Sequence, residues 1–340
     1  MHSTVLGPAL GGARLWHYGS RERAVADARR LAKAMTHKAA AAGLDLGGGK
    51  GVIDAPSEAR PEGELRRAIL LDFGDLVESL EGRYVTAEDV GTGAEDMTVI
   101  AERTDHVVGL GSERGGSGDP SPVTALGVRA AMRACARHRW HRPGLGGRRV
   151  MLIGLGHVGS HLAELLAADG AELLVTDLDP RRRREALALG ARWVEVPEAL
   201  ETPCDVLAPC ALGGIIDSRT IARLDCEVVC GAANNVLDTE ADAERLMRRG
   251  ITYAPDFIAN AGGLISVYGE LHGTPHSDAL RLAAGIEDTV EAILAEAAEL
   301  EITPLAAARR RSLARLRAAA PRSLTVPGSP NDSRSPSATR

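Results

Sequence analysis

Arg149-Val150-Met151-Leu152-Ile153-Gly154-Leu155-Gly156-His157-Val158-Gly159 is the stretch that decides the fold. Its apolar first half reads as a strand, and the glycines that follow have G-x-G-x-x-G spacing. Leu162, Leu165 and Leu166 then recur at helical spacing, Gly170 closes the helix, and Glu172 to Thr176 reads as a second strand ending at Asp177. The glycines permit a tight turn, close approach of backbone to a pyrophosphate, and tight helix packing; the helix N-terminus attracts the phosphates. Asp177 suits a ribose 2′-hydroxyl and would repel a 2′-phosphate. A lone glycine pattern is weak evidence. Strand, glycines, helix, strand and acid in that order identify a Rossmann site for a nicotinamide dinucleotide, and the acid points to NAD. Arg181 to Arg184 stand close enough to pair a 2′-phosphate, although the solvated start of a helix is their commoner fate.

Downstream, strands are expected at Asp205 to Ala208, Glu227 to Cys230 and Ile251 to Ala254. Each runs into a loop of small residues: Pro209-Cys210-Ala211-Leu212-Gly213-Gly214, Gly231-Ala232-Ala233-Asn234-Asn235 and Asn260-Ala261-Gly262-Gly263. Ligands of open α/β sheets bind at the carboxyl ends of strands, which is where these loops fall. An asparagine there reads a carboxamide or a ribose, or caps a helix. Helices at Ser277 to Leu300 and Pro304 to Ala319 are expected to pack back onto a first domain, and the Ser-, Pro- and Arg-rich residues 321–340 read as a disordered tail.

Upstream, Val25, Ala28, Leu31, Ala32 and Met35 share one helical face, as do Leu65, Ile69, Phe73, Leu76 and Leu80. Between these helices, Gly47-Gly48-Gly49-Lys50 runs into the apolar Gly51-Val52-Ile53, a turn that brings backbone close to a ligand with Lys50 at its end. Gly111 to Pro122, rich in Gly, Ser, Asp and Pro, reads as the crossing between domains, followed by a helix from Thr124 to His138. The fold class is therefore α/β with two domains. Residues 1–122 form a mixed α/β substrate and dimerisation domain, 123–275 the Rossmann NAD-binding domain and 276–320 the returning helices.

With 340 residues, two substantial cores are affordable, and the cleft between them is the expected active site. No apolar run of about eighteen residues and no secretory signal is present, so a cytoplasmic location without a membrane partner is expected. A net charge of −6 argues against a nucleic-acid surface. The five cysteines form no metal-binding pattern, so reduced thiols and no metal are expected. Of 40 Lys plus Arg, only Lys33, Lys38 and Lys50 are lysine. Arginine keeps its proton near neutrality, whereas a buried lysine gives it up, which singles out the lysines for proton chemistry.

Met35-Thr36-His37-Lys38, Gly47-Gly48-Gly49-Lys50 and Thr86-Ala87-Glu88-Asp89-Val90-Gly91-Thr92 together resemble the leucine, valine and phenylalanine dehydrogenases of the glutamate dehydrogenase superfamily. Gly7-Pro8-Ala9-Leu10-Gly11-Gly12, Thr124-Ala125-Leu126-Gly127, Ala208-Pro209-Cys210-Ala211 and the asparagine loops extend the resemblance from Ser3 to about Ala320. It implies NAD-dependent oxidative deamination of a branched-chain amino acid to its 2-oxo acid and ammonium by a homo-oligomer. A phenylalanine dehydrogenase and an inactive NAD-binding paralogue are the alternatives.

By the same resemblance Lys38 holds the substrate carboxylate, and Lys50 and Asp89 are catalytic. Gly11 and Gly12 join the substrate site, and Leu10, Ala87, Leu264 and Val267 form the side-chain pocket. Thr124, Gly154, Leu155, Gly156, His157, Val158, Gly159, Asp177, Cys210, Ala211, Ala232, Asn235 and Asn260 contact the cofactor. Two ammoniums in one cleft depress each other's pKa, leaving Lys50 neutral enough to act as a base while Lys38 stays charged. Asp89 takes the proton of the substrate ammonium and later returns it to nitrogen; pairing with a lysine alone is its plainer role. Members of this family carry a few tens of residues ahead of the strand that holds Gly7 and Pro8. Either a missing N-terminal strand or a misassigned start is expected, and both bear on subunit assembly and first-domain stability.

Overall fold

The computed structural model describes residues 1–111, 116 and 118–320. Parts of the expected inter-domain crossing, and the tail at 321–340, lie outside the described residues. Two parallel sheets organise the chain. In the first, β1 (Ala9–Trp16) is central: β2 (Gly47–Gly48) and β3 (Gly51–Asp54) pair successively along one side, and β4 (Tyr84–Glu88) pairs along the other. The register sets Gly12 opposite Ala87. The side chains of β1 alternate between two buried faces, so Leu10, Gly12 and Arg14 share one face.

α1 (Arg21–Ala41) and α2 (Gly63–Glu78) cover this sheet, but not with the faces that spacing suggests. α1 buries Ala24, Ala32, Thr36, Ala39 and Ala40 and leaves Val25 exposed. α2 buries Leu70, Phe73 and Val77, whereas Leu65 and Leu76 face outward. α2 carries apolar residues nearly all round, so contact with Ala9, Ala13 and Tyr84, rather than periodicity, selects its inner face.

After α3 (Ala94–Ile100), the long α4 (Ser121–Trp140) leads into the second sheet. That sheet contains β5 (Arg149–Ile153), β6 (Glu172–Thr176), β7 (Arg192–Trp193), β8 (Val206–Pro209), β9 (Val228–Val229) and β10 (Thr252–Tyr253) in the order β10-β9-β8-β5-β6-β7. Strand order reverses between β5 and β8, and the crevice beyond the carboxyl ends of these two strands is where open α/β sheets bind ligands. α5 (His157–Ala168) starts there.

The single helix expected from Ser277 to Leu300 is two helices, His276–Ala284 and Ile286–Glu299, broken at Gly285. The second of these packs on α4, with Glu287 pairing Arg133 and Arg137. The last helix, Pro304–Ala319, lies against α1: Ser312 hydrogen-bonds His37, and Arg315 donates to the Leu44 carbonyl at 2.7 Å. All five cysteines are unpaired, and among the described residues no helix is long and apolar enough to cross a membrane.

Candidate active site

A cleft of about 350 Å³ opens between the first sheet and the loops of the second. Leu10, Gly12, Lys38, Lys50, Ala87, Asp89, Leu264, Val267 and Asn235 all line it, although they come from distant parts of the chain. Gly11 does not. It backs onto Gly49, and its carbonyl accepts from the Tyr84 hydroxyl at 2.6 Å, so it supports the Lys50 turn from behind.

Lys50 reaches the cleft because β2 squeezes against α1. A Cβ on Gly48 would sit 2.2 Å from the backbone nitrogen of Thr36, so only glycine lets the strand approach the helix this closely. The Lys50 side chain is 6 % exposed, and its Nζ lies 2.9 Å from Asp89 Oδ2. Arg14 Nε donates to the same oxygen at 2.7 Å. Lys38 Nζ donates to Asn260 Oδ1 at 2.7 Å, and Asn260 Nδ2 donates in turn to Asn234 Oδ1 at 2.8 Å and to the Ala232 carbonyl at 3.2 Å. The expected cofactor residue Asn260 thus also links α1 to the loop after β9.

The electrostatics differ from the mutual repulsion of two lysines. Burial is the main cause that draws the Lys38 ammonium down to about 8; Asp256 opposes it, and Lys50 adds a smaller push. Burial likewise lowers Lys50, against the pull of Asp89, and the cation beside it that assists is Arg14. Burial alone would raise the Asp89 carboxyl, but Lys50 and then Arg14 hold it below the ordinary carboxylate value. Hence the Asp89 anion is stabilised, while Lys50 gives up its proton more readily than a free lysine.

The glycine turn at the carboxyl end of β5 fits a dinucleotide. Gly154 adopts φ +105°, and a Cβ there would meet Ala211 at 2.7 Å, while one on Gly159 would strike the Gly154 carbonyl at 2.0 Å. Gly156 faces open space and precedes α5 without any side-chain cap, so the first backbone N–H groups of α5 remain available to a phosphate. Asp177 Oδ2 accepts from Leu155 N at 2.6 Å and Oδ1 from Asp179 N at 2.7 Å, which fixes the acid beside the glycine turn. Leu155 therefore contributes its backbone, its side chain being fully buried. His157 is 86 % exposed at the helix start, 3.9 Å from Asp119. Val158 packs against the core, Cys210 lies beside Gly159, and Thr124 donates to the Pro120 carbonyl at 2.9 Å. Arg181 is solvated and pairs with Asp179.

Among the cleft residues that sequence did not assign to the site are Arg14, Asp256 as the counter-charge of Lys38, and Phe257 on the cavity wall. The signal for Arg14 is the alternation of β1, which places it on the face of Leu10 and Gly12.

Residues 1–106 match the family model described as Glu/Leu/Phe/Val dehydrogenase, dimerisation domain, and residues 182–321 match that of Glutamate/Leucine/Phenylalanine/Valine dehydrogenase. A leucine dehydrogenase of Thermoactinomyces intermedius is 45 % identical over 291 residues, covering 85 % of this chain and 78 % of the relative. A valine dehydrogenase of Streptomyces coelicolor is 46 % identical over 329 residues, covering 95 % and 88 %. Among solved structures, L-tryptophan dehydrogenase from Nostoc punctiforme superposes with a TM-score of 0.84 at 38 % identity, covering 94 % of this chain and 91 % of that one.

Proposed function

This chain belongs to the Glu/Leu/Phe/Val dehydrogenase family, and from that premise we propose that it oxidatively deaminates a branched-chain aliphatic L-amino acid, valine, leucine or isoleucine, reversibly and with NAD. The observation that carries the reading is the buried Lys50–Asp89 pair, 2.9 Å apart, sharing one cleft with Lys38 and with Asn235 of the loop after β9. Lys38 and Asn260 take the substrate carboxylate, and the side chain lies among Leu10, Ala87, Leu264 and Val267. Asp89 accepts a proton from the substrate ammonium. When bound, the nicotinamide supplies the acceptor for the Cα hydride. Neutral Lys50 then takes a proton from the water that attacks the substrate iminium, forming a carbinolamine. Asp89 returns its proton to nitrogen; as ammonia leaves, the freed Asp89 carboxylate takes the carbinolamine hydroxyl proton and passes it to the ammonia, so that ammonium and the 2-oxo acid form and Lys50 gives the proton it took from water to solvent.

The glycine turn, the start of α5, Asp177, Thr124 and the loops bearing Cys210, Ala211, Ala232 and Asn235 hold the dinucleotide. Asp177 favours NAD over NADP, since a 2′-phosphate would face its carboxylate. We assign residues 1–122 to the substrate domain, through which copies of the chain associate, 123–275 to the NAD domain and 276–320 to the returning helices. Five free thiols suit the reducing cytoplasm. Leucine and valine dehydrogenases among the relatives, and an apolar pocket, favour an aliphatic substrate over phenylalanine and an active enzyme over an inactive paralogue. NADH absorbance with a panel of L-amino acids is the test. Valine, leucine or isoleucine should give the highest kcat/KM, glutamate almost none; phenylalanine or tryptophan ahead of every aliphatic substrate overturns the assignment.

A further inference from the structure

We propose that Arg14 is a positioning residue of the reaction: it clamps one oxygen of Asp89 so that the other, Oδ1, is offered to the substrate nitrogen. This rests on the proposed deamination. Asp89 Oδ2 receives two cationic donors, Arg14 Nε at 2.7 Å and Lys50 Nζ at 2.9 Å. Among the described residues no hydrogen bond reaches Oδ1. The backbone is fixed as well, since Asp89 N donates to Thr92 Oγ1 at 3.0 Å and that hydroxyl donates to the Ala13 carbonyl at 2.8 Å.

The far side of Arg14 is anchored. Its Nη1 donates to Asp27 Oδ2 at 3.1 Å, where the Tyr18 hydroxyl also donates at 2.7 Å, and Arg30 holds Asp27 Oδ1 at 2.6 Å. A planar guanidinium bridging two carboxylates fixes direction as well as charge, which a lysine cannot reproduce. The remaining ionisable groups of this cavity are Lys38 and Arg30 on α1, Glu88 on β4 and Asp256 on the opposite wall, with Tyr84 beneath.

Arginine also remains charged when Lys50 is neutral. Asp89 therefore keeps a counter-charge throughout the cycle, and Lys50 keeps a cationic neighbour that favours its neutral form. Removing this charge raises the pKa of both groups. Asp89 works as an anion and Lys50 as a neutral amine, so activity falls as pH drops through either pKa, and both changes move the acid limb upward.

The test compares wild type, Arg14→Met and Arg14→Lys. Arg14→Met should move the acid limb of kcat/KM up by about one pH unit and lower kcat at least tenfold, with NADH affinity unchanged. Arg14→Lys should restore most of the limb but not kcat. A purely structural arginine would lower the melting temperature and leave the limb in place, and that result overturns the proposal, as does wild-type kcat in Arg14→Lys. A readout independent of turnover is the pH dependence of Lys50 acylation, followed by peptide mass spectrometry. Its midpoint should rise in Arg14→Met; an unchanged midpoint overturns the electrostatic role. If wild type deaminates nothing, the functional assignment fails, while the Lys50 midpoint still reports on Arg14.

Discussion

Replacing Gly12 by alanine should disable the site with one methyl group. A Cβ on Gly12 would lie 2.3 Å from the Glu88 carbonyl oxygen and 2.8 Å from Asp89 Cβ, whereas real contacts essentially never fall under 3.0 Å. Moving the carbonyl from 2.3 to 3.0 Å takes a retreat of 0.7 Å at the end of β4, and Asp89 is the next residue. The strand cannot slide, because Gly12 and Ala87 are in register on a central parallel ladder. A misplacement of about 1 Å at reacting groups costs about 100-fold, so 0.7 Å should cost about 10- to 100-fold in kcat/KM, or about 1.4–2.8 kcal/mol of transition-state binding. Overpacking should also lower stability by about 1–3 kcal/mol. The assay is NADH formation from leucine and valine, with a thermal melt and NADH titration beside it. Gly144→Ala, where an added Cβ meets nothing within 4 Å, is the control and should be neutral. A folded Gly12→Ala protein with more than half the wild-type kcat/KM would refute the packing argument.

Lys50→Arg should lose turnover by at least about 100-fold and keep NADH affinity, because arginine cannot release a proton at working pH; near wild-type kcat would remove Lys50 as the base. Ala87→Gly should raise the phenylalanine-to-leucine ratio of kcat/KM by about tenfold through added room in an apolar wall, and an unchanged ratio would take Ala87 out of the pocket. Lys38, drawn down to about 8 by burial, must be charged to hold a carboxylate, so kcat/KM should fall on the alkaline side near that value. With substrate bound, the carboxylate favours the charged form, and the same limb in kcat should lie higher; identical limbs in the two profiles would argue against Lys38 as the anchor. Cofactor choice follows from Asp177, and equal kcat/KM with NAD and NADP would mean that Arg181 to Arg184 reach a 2′-phosphate.

The Rossmann sheet was legible because each of its signals is local: strand, glycine turn, helix and acid lie within Arg149 to Asp177. The faces of α1 and α2 were not, because both helices carry small or apolar residues on several sides, and a distant sheet decides which of them is buried. Lys38 and Lys50 stood out by their rarity in an arginine-rich chain. The same bias concealed Arg14: where arginine is the default cation, composition cannot separate an arginine in the site from one on the surface. Lys38 and Asn260 meet across 222 positions of sequence, a contact that no local pattern encodes.

The reaction itself is tested most directly with an aliphatic L-amino acid carrying deuterium at Cα, incubated with NAD and followed by mass spectrometry and ammonium determination. Oxidative deamination by hydride transfer predicts one deuterium in the reduced nicotinamide ring for each 2-oxo acid and each ammonium formed. Deuterium lost to solvent, or 2-oxo acid formed without deuterated NADH, would contradict it.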